Sequence, residues 1–86
     1  MGNKTIELTD EQKQFITNHF VYGERLFNRV EEFDEEPDVV TLTIQTKDGH
    51  GIAPYRKTYP SLSWISCYPK YVVVEFSKNP LEEEES

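Results

Sequence analysis

Carboxylates crowd one short segment of this chain. Carboxylate oxygens can bind calcium, but this segment lacks the spaced ligands and the turn glycine of a calcium loop. Adjacent like charges also repel one another unless solvent or a cationic partner screens them. We therefore expect a solvated surface or a contact for a basic partner, and no metal site. Six of the eight residues from 31 to 38 are acidic, namely Glu31, Glu32, Asp34, Glu35, Glu36 and Asp38.

An extended acidic segment can imitate the charge of a nucleic acid. Extended residues advance about 3.3 Å each, close to the ~3.4 Å spacing of charges along one DNA strand. A nucleic-acid-binding surface on another protein could accept such a segment. The sequence thus favours a non-enzymatic binding protein, an inhibitor or modulator that occupies a basic surface as a nucleic-acid charge mimic. Its resemblance to viral or mobile-element inhibitors is an analogy of size and charge only.

A second set of residues combines aromatic rings with cations. Bases stack on such rings while cations contact phosphates, so the set is compatible with single-stranded nucleic-acid binding. Protein interfaces and ordinary β-strands also favour these residue types. The net charge of −7 opposes nucleic-acid binding, which is therefore the alternative function, together with a structural or oligomeric role. The set is Tyr55, Arg56, Lys57, Tyr59, Trp64, Lys70 and Tyr71.

Catalytic residue types are few and scattered. His19 falls in an apolar pattern and is expected to pack, whereas His50 falls in a predicted turn. Cys67 lies in a predicted strand, where a cysteine usually packs as a small apolar side chain. No spacing joins a histidine to the cysteine as a nucleophile pair. We expect no enzymatic activity and no cofactor.

The first element that must position these residues is a helix. Thr9 and Gln12 form the pattern of a capping box, which predicts that the helix begins at residue 10. Apolar residues then recur at three- and four-residue steps as far as Phe33, so we predict a helix over 10–33 that ends in the acidic segment. Gly23 lies inside this range and either marks a break into two shorter helices or lets an aromatic side chain approach the backbone closely, of which we favour the close packing.

Strands follow the helix. Residues 39–45 alternate between apolar and polar types, and Asp48-Gly49 predicts a hairpin turn after them. Further strands are predicted at 52–59, 62–68 and 72–76. The strand at 62–68 is expected to place Leu62, Trp64 and Tyr68 on one face and Ile65 and Cys67 on the other. The fold class is therefore α+β, with one N-terminal amphipathic helix packed on an antiparallel meander of three or four strands.

Length and charge complete the sequence-based expectations. Eighty-six residues suffice for one domain, predicted at 1–80, followed by an acidic and disordered tail at 81–86. A single cysteine and the lack of a long apolar run predict a cytoplasmic protein without a membrane span. Residues 39–81 carry two acids and five bases, so the middle of the chain is basic between acidic flanks.

Overall fold

A computed structural model describes residues 5–47, 49 and 51–79 and has an α+β fold. The elements are α1 (Asp10–His19), a 3-10 turn (Gly23–Leu26), β1 (Val30–Glu35), β2 (Val39–Gln45), β3 (Ser61–Cys67) and β4 (Tyr71–Ser77). The antiparallel sheet has the strand order β1-β2-β4-β3, so β2 and β4 are central and β1 and β3 form the edges. The fold class is confirmed. In a simple meander β3 would pair with β2, whereas here β4 lies between these two strands.

The helix begins as predicted. The Gln12 backbone N–H donates to Thr9 Oγ1 at 3.1 Å, and the Thr9 N–H donates to Gln12 Oε1 at 2.9 Å. Two of the otherwise unpaired N–H groups of the first turn are thus satisfied. The predicted capping box is confirmed.

The predicted helix end at residue 33 is wrong, because α1 ends at His19. Phe20 is extended, and Tyr22 has a left-handed backbone with φ of 56°. A Cβ added to Gly23 would lie 2.4 Å from the carbonyl oxygen of Ile16. The helix therefore breaks before Gly23, and the close contact that its missing side chain permits is with the backbone of α1 rather than with an aromatic ring, which corrects the favoured interpretation.

The acidic segment was also misassigned, because it forms β1 and the following turn rather than a helix end. Val30 pairs with Ile44 and Phe33 pairs with Leu42, with an irregularity between Val30 and Glu32. One extra residue in a strand changes the usual two-residue step to three. Val30 and Phe33 thus lie on the same face three residues apart, a spacing that also suggests a helix.

The predicted strand at 52–59 is absent, because residues 51–60 contain no strand, and Asp48 and His50 of the predicted turn lie outside the described residues. Among the described residues between β2 and β3, Pro54 alone makes an isolated bridge, with Phe20. The Val21 N–H donates to the Ala53 carbonyl at 2.9 Å, which fastens the loop to the chain after α1. The predicted hairpin is wrong as well, because the next strand pairs with β4 instead.

The core lies between one face of the sheet and α1. Phe76 of β4 is fully buried and contacts Phe15 and Phe20 edge-on, with ring centroids 5.5 and 5.6 Å apart. The sheet's central strands alternate between buried and half-exposed residues, so the opposite face is left uncovered by the described residues. The buried apolar residues are Leu8, Ile16, Phe20, Leu26, Val30, Val40, Leu42, Ile44, Val72, Val74 and Phe76.

Strand β3 contains an irregularity of its own. Leu62 pairs with Phe76 and Trp64 pairs with Glu75, so Ser63 is an extra residue between them. Leu62 and Trp64 consequently lie on opposite faces, which corrects their predicted placement on one face. Cys67 is exposed rather than packed.

Candidate protein-binding surface

The acidic residues 31–38 lie along one edge of the sheet and around the turn that joins β1 to β2. Glu32 pairs with Thr43, and Asp34 pairs with Thr41. Because paired residues of antiparallel strands project to the same face, both carboxylates lie on the face opposite the core. We call this the outer face; it includes Glu32, Asp34, Val39, Thr41, Thr43, Gln45, Ser61, Trp64, Ser66, Tyr71, Val73, Glu75 and Ser77.

The other carboxylates point in several directions. Glu35 pairs with Val40 of the core face, and its Oε2 lies 3.1 Å from Lys78 Nζ in an exposed ion pair. Glu36 and Asp38 are exposed in the turn, where the Glu36 N–H donates to the Val39 carbonyl at 2.9 Å. Strand alternation therefore divides the segment, and Glu32 and Asp34 lie about 6.6 Å apart along the outer face. The charge spacing on that face is twice the one the sequence suggested.

A carboxylate that the sequence patterns did not single out lies in the middle of the outer face. Glu75 pairs with Thr41 on one side and with Trp64 on the other. Asp34, Thr41, Glu75 and Trp64 thus form one row across all four strands. At about 4.8 Å per strand, Asp34 and Glu75 are separated by roughly 10 Å. Glu75 could have been found from the sequence, because it lies between two apolar residues of an alternating strand.

Aromatic side chains occupy the β3 side of the outer face. Trp64 is 63% exposed, and its Nε1–H donates to Ser66 Oγ at 2.7 Å. Tyr71 stacks on Tyr68 with ring centroids 4.7 Å apart and an interplanar angle of 14°. A carboxylate row therefore ends at an exposed indole, beside a pair of stacked tyrosines.

The aromatic and basic set does not share one surface. Trp64 and Tyr71 lie on the outer face, whereas Tyr55, Arg56, Lys57 and Tyr59 lie in the loop before β3. The hydroxyl of Tyr59 donates to the Lys78 carbonyl, at the end of β4. Lys70 is in the turn between β3 and β4.

Arg56 lies close to β3 in spite of its place in the loop. It lines an open groove of about 250 Å³ together with Leu62, Ser63, Trp64 and Ile65. The groove is open and lies beside the edge strand, so Arg56 and the β3 residues that line it are accessible to a binding partner. This pairing of Arg56 with Trp64 is the one part of the predicted aromatic and basic set that the groove unites.

The histidine on α1 belongs to the core. His19 is 5% exposed, its Nδ1 lies 2.8 Å from the Phe15 carbonyl oxygen, and its ring stacks on Phe15 at 3.9 Å. Nε2 has no hydrogen-bond partner among the described residues. The His19 ring lies against the rings of Phe15 and Phe76, so its surroundings are those of a packed side chain.

Other kinds of site receive no support from the geometry. Among the residues that the structure describes, no group of three or more His, Cys, Asp or Glu side chains is arranged to hold a metal ion. Within that same part of the chain, no helix has the length and apolar character needed to cross a membrane.

Comparison with known proteins leaves the surface to be interpreted on its own. No family model matches the chain, and no significant match was found among curated proteins or solved structures.

Proposed function

We propose that this chain is a non-enzymatic binding protein whose outer face and acidic β1 edge occupy a basic surface on a partner protein. The observation that supports this proposal most directly is the row of Asp34, Glu75 and Trp64 on an uncovered sheet face. The carboxylates supply long-range attraction to cations, which raises the association rate. Trp64 and Tyr71 supply large, rigid contact area, which slows dissociation.

The basic partner surface in this proposal is one that otherwise binds nucleic acid. The exposed acidic positions continue from Asp34 through Glu36 to Asp38 around the β1–β2 turn, so the charge extends beyond the flat outer face. The acidic surface of this chain thus competes with a nucleic acid for the lysines and arginines of the partner protein. The chain then acts as an inhibitor or modulator of a nucleic-acid-processing protein, through occlusion rather than chemistry.

An affinity capture with matched charge variants tests this function. The native chain is compared with E32Q/D34N/E75Q, which neutralises the outer face, and with E7Q/E11Q/E24Q, which removes the same charge from exposed positions elsewhere. We expect the same basic protein on the native chain and on the second variant, and its loss from the first. Added duplex DNA or RNA should release it.

Two outcomes would contradict the proposal. Equal capture of the basic protein by both triple variants would mean that the outer-face carboxylates contribute nothing to binding. Capture that nucleic acid cannot compete away would refute charge mimicry while leaving protein binding in place. Association rates measured at two salt concentrations separate the cases further, because electrostatic attraction weakens as salt rises.

A second candidate function is single-stranded nucleic-acid binding, and the observation that favours it is the groove shared by Arg56 and Trp64. Its weakness is that Glu75 pairs with Trp64, so a carboxylate faces any phosphate that approaches the indole. A third candidate is self-association through the uncovered outer face. A sedimentation mass that stays monomeric at high concentration would eliminate that third candidate.

A further inference from the structure

The two edges of the sheet differ sharply in charge. Along β1 the residues Glu31, Glu32, Asp34 and Glu35 are carboxylates, and charged side chains on an edge strand discourage pairing with another strand. The β3 edge has the sequence Ser-Leu-Ser-Trp-Ile-Ser-Cys, without a charged residue. Within the described part of the chain, no strand pairs with its outer side.

The unpaired edge of β3 is suited to strand addition. In an antiparallel sheet, alternate residues of an edge strand direct their N–H and C=O groups away from the neighbouring strand. The irregularity at Ser63 interrupts the first part of β3, but Trp64 to Cys67 pair with β4 in regular register. Every second one of these four residues therefore offers its N–H and C=O groups at the free edge, the arrangement that peptides use in β-augmentation.

Apolar surface beside this edge is incompletely covered. Leu62 and Ile65 pack against the margin of the core, and both remain half-buried. The groove of about 250 Å³ at this position is bounded by the same two side chains, by Trp64 and by Arg56. An added strand whose alternate residues are apolar would cover Leu62 and Ile65 as it pairs.

Charge determines which strand fits. Residues 51–70 contain Arg56, Lys57 and Lys70 and no acidic residue. A second copy that paired β3 with β3 would bring six such cations together, which disfavours that arrangement. An extended segment with carboxylates would instead place an anion next to the guanidinium of Arg56, a favourable pairing for a planar, multiply donating group.

We propose that the β3 edge binds an extended acidic and apolar segment of a protein partner by strand addition, with Arg56 contacting one of its carboxylates. This surface is separate from the acidic edge, and the proposal stands whether or not the proposed function is correct. The long-range repulsion from the chain's net charge is largely screened at physiological salt, where the Debye length is about 8 Å.

Blocked heptapeptides provide the test. The first alternates glutamate with valine, the second alternates lysine with valine, and the third is the glutamate peptide with N-methylated amides along one edge. Binding is followed through Trp64 fluorescence at 0.15 M salt, and hydrogen exchange reports new protection of those amides among residues 64–67 that point away from β4. We expect the glutamate peptide to bind at least about tenfold more tightly than the lysine peptide, and N-methylation to abolish its binding.

Two charge-reversal variants identify the contact. R56E should reverse the preference between the two peptides, whereas R25E, which makes the same charge change at an exposed arginine beside Tyr22, should leave the preference unaltered. Equal binding of the two peptides would overturn the charge selectivity, and unchanged binding after N-methylation would overturn strand addition. A concentration-dependent dimer with no peptide binding would assign the edge to a second copy and refute the acidic partner.

Discussion

Glu75 and Trp64 lie opposite each other in the pairing of β4 with β3, and both side chains project to the outer face. Trp64 is largely exposed, so its indole is available to a binding partner. The carboxylate beside it favours a cationic group over a phosphate at this position. The Glu75–Trp64 pair therefore favours the binding of a basic protein over the binding of a nucleic acid.

The first prediction concerns the effect of Glu75 on nucleic-acid binding. We expect Trp64 fluorescence to remain unchanged when the native chain is titrated with oligothymidylate at low salt. In the variant E75K, the repulsion is removed and a cation is added, so the same titration should quench the indole through stacking. A quench of the native chain equal to that of E75K would contradict this prediction and favour the nucleic-acid alternative.

A lysine in the centre of the outer face should stabilise the fold and abolish partner binding. Thr41 lies between Asp34 and Glu75 in neighbouring strands, so T41K forms an opposite-charge pair with each. Each such pair contributes about 0.2–1 kcal/mol, which urea denaturation at low salt can detect. The control is T5K, which adds the same charge at an exposed residue outside the strands.

The gain from T41K should shrink in 1 M salt, where exposed charges are screened. An equal gain from T5K would mean that total charge, rather than the carboxylate row, limits stability. If T41K also kept full partner binding, the outer face could not be the surface that contacts a basic protein.

Gly23 should tolerate no side chain. A Cβ at this position would lie 2.4 Å from the Ile16 carbonyl oxygen, a backbone atom that cannot move without disturbing α1. We expect G23A to lower the free energy of unfolding by about 2–4 kcal/mol. At an unstrained position the same change would stabilise by about 0.4–1 kcal/mol, so the sign of the effect is diagnostic. The adjacent substitution E24A provides the control, since Glu24 is exposed.

The beginning of α1 makes a prediction of its own. Thr9 accepts the hydrogen bond from the Gln12 N–H through its hydroxyl, and T9S keeps that oxygen while T9A removes it. T9A should lower the free energy of unfolding by about 1 kcal/mol, and T9S should remain within a few tenths. Equal losses in both variants would indicate that the methyl group, not the cap, stabilises this end.

Three residues explain which elements could be predicted from the sequence and which could not. Thr9 was sufficient to locate the helix start, because a capping box depends only on neighbours in the chain. Glu31 and Ser63 made the strand predictions wrong. The position of an extra residue in a strand depends on the pairing with the neighbouring strand, so it leaves no signal in the local sequence. Glu31 gave β1 a spacing of apolar residues that resembles a helix, and Ser63 placed Leu62 and Trp64 on opposite faces of the sheet.

The candidate surface was likewise predictable only in part. The acidic residues 31–38 were visible from composition, but their division between two faces required the register of β1 with β2. Glu75 became part of the surface only through its pairing with Thr41 and Trp64. The groove at Arg56 depends on how the loop after β2 returns to β3, which no spacing in the sequence specifies.

Adjacent residues of β4 provide the most direct test of which sheet face is the core. Phe76 is fully buried among the rings of Phe15, His19 and Phe20, whereas Glu75 projects to the outer face. F76A leaves a cavity that these rings cannot fill, so we expect a loss of about 3–5 kcal/mol in the free energy of unfolding. Small domains have about 5–15 kcal/mol in total, so this variant should approach global unfolding.

The matched variant is E75Q, one residue away on the opposite face, and it should change stability by less than about 0.5 kcal/mol. Urea denaturation followed by circular dichroism measures both. F76L, which retains most of the apolar volume, should fall between the two, because part of the buried contact area remains. If E75Q cost as much as F76A, the outer face would have to be covered rather than open, and the surface proposed for the basic partner would be wrong.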